Sequence, residues 1–172
     1  MKKRILVTGC LGFIGFHLVM KLVKNNEYEV FGIDNINDYY DVNLKKARFK
    51  ILKKYKKFKF KKIDITKIKS LSNAVKDFKI KIIINLAAQA GVRNSIDNPK
   101  AYLDNNIFGF FNILEISKEQ KIDHLIFAST SSVYGNNKNF PLSESDNSDH
   151  PLSFYAATKK SNEVMAHSYS NI

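Results

Sequence analysis

Two patterns of apolar residues alternate along the chain. Short apolar runs rich in β-branched residues predict five buried strands, near residues 3–8, 28–34, 58–63, 81–86 and 123–128. Between them, apolar residues at helical spacing predict helices near 13–24, 43–54, 67–78 and 99–119, and a last helix from near Leu152 onward. Because strands that alternate with helices form right-handed crossovers, we expect an α/β fold with a doubly wound parallel sheet.

The first apolar stretch, residues 5–20, has no formal charge and follows three positive charges. A secretion signal would need a cleavage site of small residues, and Lys21 and a polar run follow instead. A membrane span would need about 20 apolar residues, whereas this stretch is shorter and contains three glycines. We therefore interpret it as a strand, a glycine turn and a helix, and expect a cytoplasmic protein without a membrane partner.

Gly9, Gly12 and Gly15 follow the first predicted strand at intervals of three residues. Gly9 would permit a tight turn, Gly12 would let the backbone approach a pyrophosphate, and Gly15 would let the helix pack closely. The N–H groups at the start of the helix attract an anion. A tight turn without a ligand is the alternative, and the next strand favours the dinucleotide site of a Rossmann-like fold.

Asp34 ends the second predicted strand, nineteen residues after Gly15. An acid at this place accepts hydrogen bonds from an adenosine ribose and repels a 2′-phosphate, which favours NAD over NADP. Asp64 follows the third predicted strand, where it would lie near the adenine. The alternatives are structural: a loop or cap aspartate for Asp34, and the N-cap of the next helix for Asp64.

The length and composition fit a single domain over residues 1–172, which the glycine turn and Asp34 predict to be NAD-binding. A hydrophobic content of 44% and an aromatic content of 12% are enough for a core. The one cysteine, Cys10, excludes an internal disulfide and lies in the glycine turn, where we expect a packing role. The four histidines lack the spacing of metal ligands, so we expect no metal site.

The net charge of +12 raises the question of a nucleic-acid partner, since eleven of the eighteen residues from Lys45 to Lys62 are Lys or Arg. The chain as a whole, however, has 25 Lys, 18 Asn and only 3 Arg. Proteins that read phosphates and base edges tend to use arginine. We therefore interpret the segment as a solvated surface, expect no nucleic-acid partner, and keep the basic patch as the alternative.

The pattern Tyr-x-x-x-Lys places a phenol and an ammonium one helical turn apart, so that the ammonium favours the phenolate and the tyrosine can act as a base. The pattern occurs at Tyr55/Lys59, Tyr134/Lys138 and Tyr155/Lys159. The first pair falls at a helix-to-strand junction, and the second runs through a turn. The third lies in a good helix behind Ser153, a plausible cap, and follows the hydroxyl cluster Ser129–Ser132 at the end of a strand.

These motifs together resemble the extended short-chain dehydrogenases/reductases that act on nucleotide sugars. The resemblance runs from Thr8-Gly9-Cys10-Leu11-Gly12-Phe13-Ile14-Gly15 to the last residue. Within that family, the chain is similar to the UDP-glucuronate 4-epimerase subgroup in three strings: LAAQAGVRNSIDNPKAYLDNNIFGFFNILE, SSVYG and DHPLSFYAATKKSNEVMAHSYS.

The resemblance implies a role for each matching residue. Tyr155 is the acid/base at the sugar 4-hydroxyl, Lys159 activates it and holds the nicotinamide ribose, and Thr130 hydrogen-bonds the 4-oxygen. Implied substrate residues are Ser131 and Ser132, near the sugar carboxylate, and Arg93, for which a phosphate or sugar contact and a solvated loop position are equal alternatives. The implied cofactor is NAD, held by Gly9, Gly12, Phe13, Ile14, Gly15, Asp34, Asp64, Ile65, Leu86, Ala87, Ala88, Gln89, Asn106, Tyr155 and Lys159.

The implied reaction is 4-epimerisation of a UDP-sugar, expected to be UDP-glucuronate, by transient oxidation at C4. In related 4,6-dehydratases the threonine is followed by Asp-Glu, whereas Thr130 is followed by Ser131-Ser132, which argues against a dehydratase. The same residues do not separate a glucuronate epimerase from one acting on glucose or an N-acetylated sugar.

Family members continue for about as many residues again. We therefore expect an incomplete Rossmann domain that ends at or after the catalytic helix and lacks the C-terminal strands and the substrate domain. The alternative to an epimerase is a module that binds NAD and turns nothing over. The resemblance also implies a homodimer in the full-length form, through the helices of residues 99–119 and of Tyr155.

Overall fold

One parallel sheet organises the chain in the computed structural model, which describes residues 2–172. Its strands stand in the order β3-β2-β1-β4-β5, which confirms the predicted doubly wound, Rossmann-like α/β fold. They are β1 (Lys3–Thr8), β2 (Tyr28–Asp34), β3 (Phe58–Lys62), β4 (Ile82–Asn85) and β5 (His124–Phe127). The strand order reverses between β1 and β4, which pair in parallel from Ile5 opposite Ile82 to Thr8 opposite Asn85.

The central strands are buried because helices cover a parallel sheet on both faces. Four consecutive residues of β1, ending at Thr8, and five of β2, ending at Asp34, are buried. Runs that are buried on both faces need apolar residues at every position. This is why they appear in the sequence as continuous apolar stretches and not as an alternation of apolar and polar residues.

The backbone separates into two compact units, and the first of them contains the whole sheet. This first unit runs to Ala87 and includes Glu115–Phe127. Its helices are α1 (Phe13–Lys24), α2 (Val42–Leu52) and α3 (Ile68–Asp77). Leu11, Val19 and Leu52 are fully buried in its core, together with residues of β1 and β2. The single domain that the sequence predicts over residues 1–172 stays a prediction.

The second unit, Ala88–Leu114 with Ala128–Ile172, is built from helices and turns. In chain order it contains α4 (Asn94–Asp97), α5 (Pro99–Tyr102), the π-helical segment Leu103–Phe108, the start of α6 (Gly109–Glu119), the 3-10 turn Ser131–Tyr134, and α7 (Phe154–Ser170). The predicted helix at 99–119 is therefore interrupted by a π-helical segment, which often marks a functional position.

Ser153 caps α7 as the sequence predicts, since its Oγ accepts a hydrogen bond of 3.1 Å from the Ala156 backbone nitrogen. Within residues 2–172, no helix combines the length and the apolar character that a bilayer-crossing segment needs.

Candidate active site

Three close backbone contacts shape the glycine turn after β1. Gly9 has a φ of +63°, and a Cβ on it would lie 2.9 Å from the Ala87 backbone nitrogen. A Cβ on Gly15 would lie 2.2 Å from the Gly9 carbonyl oxygen, so α1 packs on the turn at a distance that excludes any side chain. At Gly12 the same oxygen would be 3.1 Å away. These contacts leave no room for side chains where the turn meets α1. We call this turn, together with the N–H groups at the start of α1, the cradle, since N–H groups at a helix start attract an anion.

The first two residues of α1 extend the surface of this cradle. Phe13 and Ile14 leave 70% and 64% of their surfaces exposed. Large apolar side chains exposed next to a polar backbone cradle are typical of a surface that a ligand covers. Cys10, in contrast, is fully buried, and burial raises the pKa of its thiol, helped by the charge of Asp34. A buried neutral thiol agrees with the packing role expected for it.

The ends of β1 and β4 are joined by the hydroxyl of Thr8. Its Oγ1 donates to Asn85 Oδ1 at 2.6 Å and accepts from the backbone nitrogens of Leu86 and Ala87 at 3.1 and 2.9 Å. Thr8 and Asn85 are both buried. This network holds Leu86 and Ala87 against the glycine turn, at the point where the strand order reverses, which is where doubly wound sheets bind ligands.

Asp34 is held at the end of β2 by backbone and side-chain contacts. One carboxylate oxygen accepts from the Leu11 nitrogen at 3.1 Å, and the other accepts from the Ile36 nitrogen at 2.9 Å. Lys45 Nζ lies 3.7 Å from that second oxygen, and both side chains are buried. Asp34 thus links the glycine turn to α2. These contacts are structural, so the ribose role and the loop or cap role both stay open as alternatives.

Asp64 makes a turn before α3 and does not cap that helix. Its Oδ1 accepts from the backbone nitrogen and the hydroxyl of Thr66, and its Oδ2 accepts from Asn35 Nδ2 at 3.1 Å. Burial opposes ionisation, but these hydrogen bonds outweigh it and lower the pKa of the carboxyl. The N-cap position belongs to Lys67, so the capping alternative for Asp64 is wrong. Ile65 is buried next to it.

In the second unit, α7 carries the only Tyr-x-x-x-Lys pair of the described residues that lies on a regular helix. Tyr134 falls in the 3-10 turn, and Tyr55 follows α2 in a turn. The Tyr155 ring meets that of Tyr102 edge to face, with centroids 6.1 Å apart. Lys159 is buried, and burial lowers its pKa to about 8 although the charge of Glu163 raises it. At neutral pH its ammonium form predominates.

The hydroxyl cluster stands at the start of the 3-10 turn Ser131–Tyr134. Thr130 Oγ1 accepts from the Ser132 backbone nitrogen at 3.2 Å and lies 3.3 Å from Ser132 Oγ. Ser129, next to it, donates its hydroxyl to Glu163 of α7. Thr130 is therefore held by its own turn and, through its neighbour, by the helix of Tyr155 and Lys159.

Asn106 lies in the π-helical segment and is almost fully buried. Its amide exchanges hydrogen bonds of 2.8 and 3.0 Å with the backbone of Gln89, and its Nδ2 also donates to Thr158 Oγ1 at 3.0 Å. Asn162 of α7 donates to the Asn106 carbonyl at 2.7 Å. The π-helical turn thus connects the segment at Gln89 to the residue that precedes Lys159. Ala88, next to Gln89, is exposed.

Arg93 is exposed at the start of α4, so the alternatives of a ligand contact and a solvated position both stay open.

The sequence did not predict three residues that contact the candidate site residues. They are Lys45 beside Asp34, Tyr102 beside Tyr155, and Glu163 beside Ser129. Glu163 had a signal, because it continues the four-residue spacing of Tyr155 and Lys159. Lys45 had none, since it stands in a run of lysines. The interpretation of that run as a solvated surface is wrong for Lys45, which is buried.

Chemically, the first unit presents an anion cradle with a fixed carboxylate nearby. The second presents a phenol, a buried ammonium and a hydroxyl cluster. These are the groups that bind a dinucleotide and that move a proton at an alcohol.

Known proteins are similar to this chain in sequence and in fold. The family model described as GDP-mannose 4,6 dehydratase matches residues 6–172. Protein CapI of Staphylococcus aureus is 55% identical over 169 residues, which are 98% of this chain and 50% of that protein. The UDP-glucuronate 4-epimerase of Thermodesulfobacterium geofontis is 45% identical over 167 residues, which are 97% of this chain and 51% of that protein.

A solved structure is similar over the same extent. It is the UDP-glucuronic acid 4-epimerase from Bacillus cereus in complex with UDP-glucuronic acid and NAD, at 40% identity and a TM-score of 0.90. The match covers 98% of this chain and 52% of that one. The chain spans about half the length of the curated relatives it matches. These findings confirm the resemblance seen in the motifs: the chain belongs to the GDP-mannose 4,6 dehydratase family, which is of the NAD-dependent epimerase/dehydratase type.

Proposed function

We propose that this chain carries the NAD-binding and catalytic residues of a nucleotide-sugar 4-epimerase whose substrate is UDP-glucuronate. The observation that carries the proposal is the likeness to the Bacillus cereus enzyme, at a TM-score of 0.90 and 40% identity over 98% of this chain. The family's description names a dehydratase. Ser131 and Ser132, which follow Thr130, favour an epimerase, because no acid stands there to assist the elimination of water.

The cofactor residues are proposed from the cradle and its surroundings. The backbone at Gly9, Gly12 and Gly15 would hold the pyrophosphate, and Asp34 the adenosine ribose. Further contacts are proposed for Phe13, Ile14, Asp64, Ile65, Leu86, Ala87, Ala88 and Gln89. Asn106, whose amide donates to Thr158, is proposed to help position Lys159 at the cofactor. When bound, NAD supplies a reversible acceptor for the hydride at C4 of the sugar.

Proton transfer falls to the residues of α7 and of the hydroxyl cluster. Tyr155 takes the proton of the sugar 4-hydroxyl, while the Lys159 ammonium stabilises the phenolate. The Thr130 hydroxyl hydrogen-bonds the same 4-oxygen, and Ser131, Ser132 and Arg93 are proposed to contact the rest of the substrate. Tyr155 returns the proton to the 4-oxygen after the sugar ring has turned over. Since the pKa of Lys159 is about 8, activity should decline as the pH rises beyond that value.

The test is interconversion of UDP-glucuronate and UDP-galacturonate, followed by chromatography with NAD present. We expect Tyr155→Phe to lower the rate by about 100-fold or more, because it removes the group that transfers the proton. Tyr55→Phe is the matched control, since Tyr55 begins the same four-residue pattern in a turn, and it should keep the wild-type rate. Equal rates for Tyr155→Phe and the wild type would contradict the proposal.

A second candidate is a module that binds NAD without turnover. The observation that favours it is that the chain spans about half the length of its curated relatives. NAD binding without epimerisation by the wild-type chain supports this candidate, and epimerisation excludes it.

We also propose a cytoplasmic homodimer for the longer form, without a nucleic-acid partner. Exposed apolar side chains on neighbouring turns of the second unit support the dimer: Leu103, Phe108 and Phe111 expose between 41% and 59% of their surfaces.

A further inference from the structure

One acidic residue of α7 has no role in the proposed chemistry. Glu163 is the only Asp or Glu of that helix, and it stands four residues after Lys159 and eight after Tyr155. Residues four apart lie on the same side of a helix, one turn above the other. Glu163 therefore continues the row that contains the proposed base and its ammonium.

The two carboxylate oxygens of Glu163 have different partners. Oε1 accepts a hydrogen bond from the Ser129 hydroxyl, and Oε2 lies 3.4 Å from Lys160 Nζ. Lys160 is itself held from the other side, since it donates to Ser148 Oγ at 2.6 Å and lies 3.8 Å from Asp149 Oδ1. The carboxylate is thus fixed in place with one oxygen on the residue that precedes Thr130.

We propose that Glu163 is a positioning residue of the active site, because its carboxylate ties the Ser129–Ser132 segment to α7 and stabilises the ammonium of Lys159. The assignment rests on the proposed function for its catalytic meaning. The contacts from which it is argued belong to this chain and do not depend on the substrate.

The proposed effect of the Glu163 charge on Lys159 depends on the burial of that lysine. Burial lowers the pKa of this lysine to about 8, and the negative charge of Glu163 is the influence that raises it. Without that charge, a larger fraction of Lys159 would be neutral at pH 7 to 8. A neutral amine no longer stabilises a phenolate by its charge.

The other charged or titratable groups near α7 stand on the segments packed against it: α4, α5, the π-helical segment and the 3-10 turn. On α5 and the π-helical segment, Lys100 and Asp104 pair with each other at 2.7 Å and are exposed to solvent. The remaining groups on these segments are Asp97, Tyr102 and Tyr134. None of these groups is a cause of the shift in the Lys159 pKa. The charge that raises this pKa is that of Glu163, on α7 itself.

Glu163 is proposed to act in two ways: by its charge on Lys159 and by its hydrogen bond with Ser129. Four variants of the 172-residue chain separate these two effects. Glu163→Gln removes the charge and keeps an oxygen that accepts from Ser129. Ser129→Ala removes the tie and keeps the charge. Glu163→Ala removes both and is a second neutral variant. Glu119→Gln, at an exposed position of α6, is the matched control.

Two measurements test the two parts of the role, the charge effect on Lys159 and the hydrogen bond to Ser129. Neither measurement needs enzymatic activity. The pKa of Lys159 is followed by NMR of chains with ¹³C-labelled lysine, assigned with Lys159→Met. Hydrogen exchange reads the amides of residues 129–132. We expect Glu163→Gln to lower the Lys159 pKa by about half a pH unit or more without faster exchange. Ser129→Ala should raise the exchange rates several-fold and leave the pKa near 8.

Glu163→Ala should change both quantities, and Glu119→Gln neither. An unchanged Lys159 pKa in both neutral variants, or unchanged exchange in Ser129→Ala and Glu163→Ala, would overturn the proposal. Failure of the proposed function would be seen in a different result, the absence of epimerisation by the wild type.

In an active form, Glu163→Gln should lower kcat and leave KM for the UDP-sugar unchanged. It should also move the alkaline limb of the pH profile of kcat to lower pH.

Discussion

Lys45 is a residue whose importance depends on its surroundings and not on its type. Ten other Lys or Arg residues lie in the same eighteen-residue run, yet the side chain of Lys45 is only 8% exposed. Its Nζ donates to the carbonyl oxygen and to the Oδ1 of Asn37, at 3.1 and 2.7 Å, and lies 3.7 Å from Asp34 Oδ1. The ammonium therefore holds both the proposed ribose-binding carboxylate and the loop after it.

We expect Lys45→Met to lower the free energy of unfolding by about 3 kcal/mol, because it leaves a buried carboxylate without its ammonium. It should also weaken NAD binding, since Asp34 Oδ1 loses one of its two contacts and keeps only the hydrogen bond from the Ile36 backbone nitrogen. Urea unfolding and calorimetric titration with NAD measure the two effects. Lys46→Met, at the exposed neighbouring position, is the control and should change neither quantity. Equal stability of the two variants would show that the buried ion pair is not required.

At the scale of elements, α1 approaches the glycine turn so closely that a Cβ has little or no room at two glycines. The Gly9 carbonyl oxygen would be 2.2 Å from a Cβ on Gly15 and 3.1 Å from one on Gly12. A Cβ on Gly15 would meet a backbone oxygen and not a flexible side chain, so it would fit only if the backbone of α1 or of the turn moved. The contact of a Cβ on Gly12 is a tight one that a small shift relieves. Gly15 is therefore required for packing, whereas the function proposed for Gly12 is at the surface of the cradle.

We expect Gly15→Ala to destabilise the chain by about 3 kcal/mol, since overpacking outweighs the better helix propensity of alanine. Gly12→Ala should cost about 1 kcal/mol or less and still weaken NAD binding, because its methyl group occupies the surface proposed for the pyrophosphate. Thermal unfolding and NAD titration of both variants check this order. The order is refuted if Gly15→Ala is as stable as the wild type, or if Gly12→Ala binds NAD as tightly.

At the scale of the whole molecule, one group of exposed apolar side chains bears on association with a second copy. Leu103, Phe108 and Phe111 expose apolar surface within nine consecutive residues of the second unit. Apolar side chains that recur on neighbouring helical turns and remain exposed are typical of association surfaces. All three lie within the helical segment for which the family resemblance implies a dimer contact.

We expect the full-length form to sediment as a dimer, and Phe108→Ser in that form to shift it to the monomer. The serine removes apolar area from the proposed contact, and Phe108 is 59% exposed, so its own unit loses little packing. Phe140→Ser is the matched control, because Phe140 is 76% exposed elsewhere in the same unit. Sedimentation velocity at several concentrations distinguishes the outcomes. Identical behaviour of the two variants would argue against this surface.

The sequence by itself determined the order of the strands and helices, the glycine turn and the helix of Tyr155. These features depend on local properties: apolar periodicity, the φ that only glycine adopts easily, and the Ser153 cap. Even the family could be identified from such motifs, because each is a contiguous string of residues.

The tertiary structure decided which ordinary residues acquire a special environment. Lys45 of α2 is buried beside Asp34 at the end of β2, and Asn106 of the π-helical segment meets Gln89 across 17 residues of sequence. Glu163 meets Ser129 across 34 residues of sequence. Contacts of this kind depend on how distant segments pack together, and burial then changes the charge and hydrogen-bonding of a side chain. No periodicity of the sequence encodes those two effects.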